Sequence, residues 1–380
     1  MLIQIHILQN YAPANLNRDD TGAPKDAIFG GVRRGRISSQ CLKRSIRRSS
    51  TFDEAFLKGN LLGIRTRQLP KLIITELKKL INDDTVIKEI SARIPEFGRE
   101  SSKRKETDEE SDEAVENSET VDLVKQLIFI GQEELPRLAE KLLSIYNILG
   151  TKEWKKAKID VITKDLGNLI PRSVDIAMFG RMTTSAAFEN VSASVQVAHA
   201  LSTNALSQEF DYFTAVDDLA GDAGAGMIGD VEFNSSTYYK YFNIHWEQLL
   251  SNLGGDKVVS RKAVGAFIEA AATAQPSGKQ NTFAAFNLPD LVLVEISDRN
   301  LPVSYTNAFI KPVRTSNTLS LVEMSINSLE KYMEKVNKAY NVEAKRAALV
   351  LVENNLPGTE LKTTLTDLQN WLVEHLPQGD

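Results

Sequence analysis

The segment LIQIHILQ, residues 2–9, predicts a β-strand at the start of the chain. Ile3, Ile5 and Ile7 alternate with polar residues. Alternation with a period of two is typical of a strand that buries one of its faces. The segment also lacks the basic stretch of a secretory signal peptide. We therefore expect a half-buried strand in a sheet that later parts of the chain complete.

A basic helix is predicted after this strand and a loop rich in glycine and proline. It runs from Ser38 or Ser39, either of which is a suitable N-cap, to about Arg48. It has no acidic residue and carries two basic pairs at i, i+4 spacing, Lys43 with Arg47 and Arg44 with Arg48. Like charges at this spacing destabilise a helix slightly, whereas the free N–H groups of a first turn favour phosphate. The alternative is a surface helix paired with acids elsewhere, but the pattern favours phosphate binding.

Charge is distributed unevenly along the chain. The 380 residues have a net charge of −5, yet residues 1–50 hold nine basic and three acidic side chains. That segment therefore carries +6 and the remainder −11. The net charge argues against a uniformly basic nucleic-acid binder, whereas this asymmetry favours a localised anion-binding face.

Composition excludes several classes of protein. Hydrophobic residues make up 42% and charged residues 25%, which suits a globular protein of two or three domains and excludes wholesale disorder. No apolar run approaches the roughly 18 residues that span a bilayer, so no membrane association is expected. Cys41 is the only cysteine and the four histidines lie far apart, so the sequence predicts no disulfide, metal or cofactor. A cytoplasmic location is expected.

The first large insertion is predicted to be helical. Residues 53–170 have Pro70 in a first helical turn and further helical patterns near 84–93, 121–130, 133–148 and 157–169. Within this region, residues 99–119 are acidic and aperiodic, which is typical of a solvated or disordered loop.

The second half of the chain alternates helix and strand. A flexible insertion is expected at 203–236, strands at 237–245 and 291–296, and a helix capped by Ser260. Two C-terminal helices follow: one with a Ser320–Glu323 capping box that runs to about Tyr340, and one that carries Leu368, Trp371 and Leu372. The order is typical of an α+β fold with a ferredoxin-like or RNA-recognition-motif-like sheet and two large insertions.

Two motifs favour enzymes, and both have simpler interpretations. GAGMIG at residues 224–229 matches the dinucleotide fingerprint of an oxidoreductase, but no hydrophobic strand precedes it and no helix follows, so a flexible loop tip is expected. Asp19, Asp20 and Asp26 could hold a metal ion beside a phosphate backbone. Acids among so many basic residues more often form loop caps and ion pairs, so no metal site is predicted.

Several runs of sequence resemble one family. Residues 16–20 (LNRDD), 25–31 (KDAIFGG), 36–40 (RISSQ) and 42–44 (LKR), followed by 180–182 (GRM), 211–219 (DYFTAVDDL) and 283–287 (FAAFN), occur in the same order there. The chain resembles the backbone subunits of type I-E CRISPR Cascade complexes, the CasC group of the Cas-seven family. The resemblance covers residues 1 to about 300 and is weak in the acidic helical region.

The resemblance implies an architecture like a right hand. A palm like an RNA-recognition motif would comprise residues 1–52, 176–202 and 237–380, the last with C-terminal helices. Residues 53–175 would form helical fingers and residues 203–236 a long thumb loop. Several copies would stack in a helical filament along one CRISPR RNA, and each thumb would reach its neighbour and kink the guide.

The resemblance also implies RNA-binding residues. Palm residues would grip guide phosphates, Met182 would wedge beside a displaced base, and Tyr212, Phe213 and Thr214 would meet the RNA from the thumb. The family often has Trp where Tyr212 stands. The phosphate-grip and RNA-face candidates are Arg18, Lys25, Arg36, Ser39, Gln40, Lys43, Arg47, Lys279 and Gln280.

The implied function is a non-catalytic scaffold that presents guide RNA for pairing with invading target DNA. Its partners would be CRISPR RNA, target DNA through the guide, further copies of itself, and the large, small, RNA-processing and guide 5′-end-capping subunits of Cascade. The alternative is a metal-dependent RNA endonuclease like the backbone subunits of type III complexes, with Asp20 as the catalytic residue.

Overall fold

The chain forms two compact units. The computed structural model describes residues 1–98, 123–124, 126–158, 162, 172–183, 188–215, 227–352, 356 and 358–378. The first unit comprises Met1–Ala55, Val195–Glu247 and Arg261–Asp380, and the second comprises Phe56–Ser194 and Gln248–Ser260. The acidic segment 99–119, residues 216–226 and most of the helix predicted at 157–169 lie outside the described residues. Within the described part of the chain, no helix has the length and apolar character needed to cross a membrane.

A ten-stranded sheet forms the first unit. Its strands are β1 (Leu2–Ala14), β2 (Asp26–Phe29), β3 (Val32–Ile37), β6 (Val195–Val197), β7 (Ala200–Ser202), β8 (Glu209–Ala215), β9 (Met227–His245), β10 (Leu291–Ser297), β11 (Lys345–Val350) and β12 (Glu360–Lys362). The order is β12-β11-β10-β1-β9-β7-β3-β2, with β6 and β8 also paired to β9. Among the strand pairs of this sheet that the structure describes, only β11–β12 is parallel.

Strand β1 lies between β9 and β10 at the centre of this sheet. Both of its faces are covered, so the expectation of a half-buried strand is wrong: Gln4 and His6 are as buried as the neighbouring isoleucines. The His6 ring nitrogens are hydrogen-bonded to the Tyr239 hydroxyl (2.8 Å) and the Glu295 carboxylate (3.1 Å). Polar alternation can therefore occur in a fully buried strand, because each buried polar group finds a partner.

The helices are α1 (Ser39–Arg47), α2 (Ser50–Phe56), α3 (Leu69–Leu80), α4 (Asp84–Ser91), α5 (Glu134–Lys156), α6 (Val174–Phe179), α7 (Trp246–Asn252), α8 (Lys257–Thr273), α9 (Gln280–Phe283), α10 (Leu321–Tyr340) and α11 (Leu365–Glu374). In the first unit, Ile326 and Leu329 of α10 are buried in one cluster with the sheet residues Leu8 and Tyr239. The Phe267 ring of α8 packs edge-on against another sheet side chain, Phe242, at 5.7 Å.

Helix caps test the boundaries predicted from sequence. The Ser320–Glu323 capping box is confirmed, with the Ser320 N–H donating to Glu323 Oε2 (2.7 Å) and the Glu323 N–H to Ser320 Oγ (3.3 Å). The cap at Ser260 is wrong, because α8 already begins at Lys257. Asp256 takes that role: its carboxylate accepts the Val259 N–H at 2.9 Å. A carboxylate is as good an N-cap as a serine hydroxyl, and Asp256 lies four residues before Ser260.

The second unit packs helices α3, α4 and α5 around a small two-stranded sheet. This sheet pairs β4 (Gly63–Thr66) with β5 (Ile128–Gly131), so the helix predicted at 121–130 is wrong at its end. The buried core includes Ile73, Leu142 and the fully buried Trp154. The first-turn proline of α3 is confirmed.

Candidate nucleic-acid interface

Asn17 ties the basic N-terminal loop to the start of α1. Its side-chain oxygen accepts the Ser38 N–H at 2.8 Å, and its backbone carbonyl accepts the Lys25 N–H at 2.8 Å. The Lys25 carbonyl in turn accepts the Arg36 N–H at 2.9 Å. Two predicted RNA-binding residues, Lys25 and Arg36, are thereby brought to the same place as the first turn of the basic helix.

Helix α1 presents basic side chains outward because its two buried residues, Leu42 and Ile46, lie on the other side. Arg44 is exposed, and Lys43 and Arg47 are partly exposed. Ser38 is the N-cap, as predicted, with its hydroxyl oxygen accepting the Cys41 N–H at 3.2 Å. Arg44 and Arg47 lie in the last turn, where the helix dipole favours cations.

Positive charge is concentrated around the first turn of α1. Burial raises the pKa of the Cys41 thiol, and the nearby Arg44 and Lys25 oppose that rise. Burial also lowers the pKa of His199, with Arg36 and Lys25 adding to the effect. The Arg36 guanidinium lies 3.3 Å from His199 Nδ1. The charge of Lys25 thus acts to lower the pKa of both Cys41 and His199. A phosphate bound here would meet several cations at once.

An open pocket of about 700 Å³ lies beside α1. It is lined by the 16–22 loop, by Ser277 and Gly278, and by α1 residues that include Gln40 and Arg44. A Cβ at Gly278 would lie 2.3 Å from the Leu16 carbonyl oxygen, so only glycine allows this close approach. Gln40 and Arg44 are four residues apart on one helix face, a spacing that could have identified Arg44 as a further site residue.

Two acids of the N-terminal loop are engaged in its structure. The Asp19 carboxylate accepts hydrogen bonds from the Thr21 hydroxyl (2.8 Å) and from the N–H groups of Thr21 and Ala23 (both 3.0 Å). The Thr21 hydroxyl is the main reason that the pKa of Asp19 is lowered. Asp26 forms an ion pair with Arg33. These are the loop cap and the ion pair that the sequence predicts. Asp20 is exposed.

Arg34 does not belong to the basic face. It is fully buried, although the charge of residues 1–50 includes it. Its guanidinium donates to the carbonyl oxygens of Ser202, Thr203 and Phe309, at 2.9, 2.9 and 2.7 Å. This side chain therefore fastens three chain segments together and is unavailable to an anion.

Strand β8 and the first part of β9 form a ribbon that carries Tyr212, Phe213 and Thr214. Phe213 is paired with Gly229, whereas Tyr212 and Thr214 point to the opposite side. The Tyr212 side chain is 65% exposed and the Phe213 side chain 38% exposed. Residues 209–233 include no lysine or arginine and seven acids. This ribbon can therefore contact RNA through aromatic rings but not through cations.

The ribbon also corrects the interpretation of GAGMIG. Residues 227–229 of this motif belong to strand β9, so the expected flexible loop tip is wrong for them. Residues 224–226 lie outside the described part of the chain. The end of the motif continues into a strand, whereas a dinucleotide-binding loop needs a helix there.

Two other candidates, Gln280 and Ser39, form hydrogen bonds within their own segments, and a third, Lys279, has a constrained backbone. Lys279 adopts the left-handed backbone conformation (φ 50°) at the start of α9. The Gln280 side-chain amide donates to the carbonyls of Pro276 (3.0 Å) and Ala285 (3.4 Å), so it holds its own loop. The Ser39 hydroxyl donates to Gln40 Oε1 at 3.3 Å.

Met182 belongs to the second unit, where its side chain is 96% exposed. The preceding Arg181 is buried and donates to the Glu134 carboxylate at 2.8 and 3.1 Å and to the Phe129 carbonyl at 3.2 Å. Burial raises the pKa of Glu134 against the opposing charge of Arg181. An exposed methionine on so firmly held a backbone is available to wedge against a ligand.

An open pocket of about 470 Å³ lies beside Met182 in the same unit. Phe129 and Phe188 line it, and the Arg65 guanidinium lies 4.6 Å from the centre of the Phe129 ring. Arg65 is a second residue that the sequence did not single out. No local pattern marks it, because its neighbour comes from a strand more than sixty residues away.

This fold is that of proteins found in CRISPR surveillance complexes. A solved chain described as "CRISPR RNA-guided surveillance complex, pre-nicking" superposes with a TM-score of 0.79 and 27% identity, over 98% of this chain and 99% of that chain. Another, described as "CRISPR RNA-guided surveillance complex", has a TM-score of 0.61 and 24% identity over the same shares, a likeness in fold alone. No curated protein matches.

The chain belongs to the CT1975-like protein family, whose model matches residues 3–374. Together with the first solved chain, this match supports a Cas-seven-type protein with a mixed α+β fold and a large sheet.

Proposed function

We propose that this chain is a CRISPR RNA-binding backbone subunit of a type I-E Cascade surveillance complex. The observation that carries the proposal is the set of hydrogen bonds at Asn17, which places Lys25 and Arg36 beside the basic helix α1. Cations and free N–H groups gathered at one place grip a phosphate backbone without reading sequence. The type I-E assignment rests on the N-terminal runs at 16–20, 25–31 and 36–40.

A hand-like division of labour is part of this proposal, although the second compact unit extends through Ser194 and so includes residues 176–194 of the palm. Residues 1–52, 176–202 and 237–380 serve as an RNA-recognition-motif-like palm, residues 53–175 as fingers, and residues 203–236 as a thumb. The aromatic ribbon at Tyr212 and Phe213 lies in the thumb and stacks on bases, which tolerates any sequence. Met182 wedges beside a displaced base.

Sequence recognition belongs to the guide in this proposal. The protein holds the guide by its backbone, and base pairing with target DNA reads the invader. The partners are CRISPR RNA, target DNA through the guide, further copies of the chain in a filament, and the large, small, RNA-processing and 5′-end-capping subunits. The complex would act in the cytoplasm in antiviral defence.

We further propose that the chain is not an enzyme. An Asp20-dependent RNA endonuclease needs a divalent ion, and oxygen-ligand metal sites usually draw on several carboxylates. The two neighbouring acids, Asp19 and Asp26, are held by a loop and by Arg33. This engagement supports a structural role for the acids of the loop.

The test is the RNA that a natively purified chain retains. The proposal predicts bound RNA whose nuclease-protected length increases in regular steps with the number of copies per particle. A chain that retains no RNA, and that binds no added single-stranded RNA at low salt, contradicts it.

A further inference from the structure

A chain of buried hydrogen bonds leads outward from the centre of the sheet. Lys240 of β9 is fully buried and donates to Gln9 Oε1 and to the Tyr11 hydroxyl, the latter at 3.1 Å. Gln9 and Tyr11 both donate to Gln275 Oε1, at 3.3 and 2.6 Å. Gln275 Nε2 donates to the Asn287 carbonyl at 2.9 Å. A lysine at the centre of the sheet is thus linked to both ends of one surface segment.

That surface segment, residues 275–287, has a backbone conformation that depends on contacts with the rest of the protein. Two of its non-glycine residues, Lys279 (φ 50°) and Ala284 (φ 46°), have left-handed backbone. Such conformations persist only where surrounding contacts hold them. The segment carries Lys279 and Gln280, and its Gly278 packs against the Leu16 carbonyl in the wall of the pocket beside α1.

We propose that Lys240 is a positioning residue that acts through Gln9, Tyr11 and Gln275. It holds the 275–287 segment in the conformation that presents Lys279 to RNA. The inference rests on the proposed function for its ligand, but the hydrogen-bond chain and the left-handed residues stand apart from it.

The arrangement has a pH dependence. Among the described residues, two titratable groups face Lys240: the Tyr11 hydroxyl from β1, by a hydrogen bond, and the Cys41 thiol from α1, whose ionised form would favour the protonated amine. Burial lowers the pKa of Lys240 to about 7, and Cys41 opposes that effect. Near neutral pH the amine therefore passes between three N–H donors and two. When the amine is neutral, its hydrogen bonds to Gln9 and Tyr11 are no longer charge-assisted and are therefore weaker.

Two variants separate positioning from general stability. Lys240→Met keeps an unbranched side chain of similar size and removes its donors. Gln275→Ala removes the acceptor that Gln9 and Tyr11 share at the surface end of the chain of hydrogen bonds and leaves Lys240 in place. Lys338→Met, an exposed lysine of α10 in the same unit, is the matched control. Two properties of folded protein are measured: amide hydrogen exchange of residues 276–286, and single-stranded RNA affinity between pH 6 and 9.

The expected result is faster exchange in 276–286 for both variants and about tenfold weaker RNA binding, the scale of one lost charge-assisted contact. Adding Lys279→Ala to Lys240→Met should cause no further loss, and Lys240→Met should flatten the pH profile of affinity relative to the control. Unchanged exchange, or losses from Lys240→Met and Lys279→Ala that simply add, would overturn the inference. If the wild-type chain binds no RNA, the proposed function fails, while faster exchange in both variants still supports the positioning role and unchanged exchange overturns it.

Discussion

The Phe213 ring occupies the space that a side chain at Gly229 would need, because a Cβ there would lie 2.6 Å from Phe213 Cζ. The two residues face each other across the β8–β9 ribbon. The ring is therefore held against the backbone of the neighbouring strand, while 38% of the side chain stays exposed and is accessible to a base. This contact also gives the last glycine of GAGMIG a structural reason unrelated to dinucleotides.

Gly229→Ala should weaken RNA binding by displacing this ring. The loss should approach that of Phe213→Ala, on the order of 1–3 kcal/mol if stacking is the main term. Because the alanine methyl fits once the ring is gone, the double variant should bind like Phe213→Ala alone. Losses that add in a double-mutant cycle would mean that the two residues act separately.

Met182→Ala should lower RNA affinity by on the order of 1–3 kcal/mol and leave the salt dependence unchanged, since stacking or wedging involves no charge. Its side chain is almost fully exposed, so the free energy of unfolding should stay the same. Ile148→Ala, another exposed apolar residue of the second unit, is the control. Equal RNA binding by the two variants would remove Met182 from the interface.

The sequence predicted elements whose signals are local. The caps at Ser38 and Ser320, the proline of α3 and the run at 291–296 needed only neighbouring residues, and all are confirmed. The helix predicted at 121–130 failed because strand β5 depends on β4, more than sixty residues earlier. Pairing over that distance leaves no local periodicity to read.

The candidate site shows the same contrast between features with a local sequence signal and features that depend on tertiary contacts. The basic face of α1 follows from helical spacing alone, whereas the burial of Arg34 depends on carbonyls near residues 202 and 309. Charge counts cannot distinguish an arginine that meets solvent from one that fastens loops. The link from Lys240 to the 275–287 segment also depends on tertiary contacts, so composition and spacing gave no sign of it.

The stability of the fold should depend on pH through Lys240. Its pKa is lowered from 10.5 to about 7 by burial, so between these values the unfolded chain binds a proton that the native chain has lost. The free energy of unfolding should therefore rise with pH over this range, by up to about 1.4 kcal/mol per unit. Urea titrations at pH 7 to 10 should show this slope in wild type and not in Lys240→Met. The same dependence of unfolding free energy on pH in wild type and Lys240→Met would contradict this role for Lys240.

The protein should leave bound RNA intact. Assembled chain supplied with magnesium or manganese and complementary RNA should give no cleavage products on a denaturing gel, and Asp20→Ala should behave like wild type. Regularly spaced cuts that disappear in Asp20→Ala, with guide binding retained, would make the protein an enzyme.

The most direct test of the proposed grip is the salt dependence of RNA binding. A variant with Lys25, Lys43 and Arg47 all replaced by alanine loses three phosphate contacts. Its log–log slope of affinity against salt should fall by roughly 0.7 per contact, or about 2 in all. The control replaces three exposed lysines of α10 (Lys331, Lys335 and Lys338) and removes the same charge from the same unit. The account predicts a reduced slope for the first variant only; an unchanged slope and affinity in that variant would contradict it.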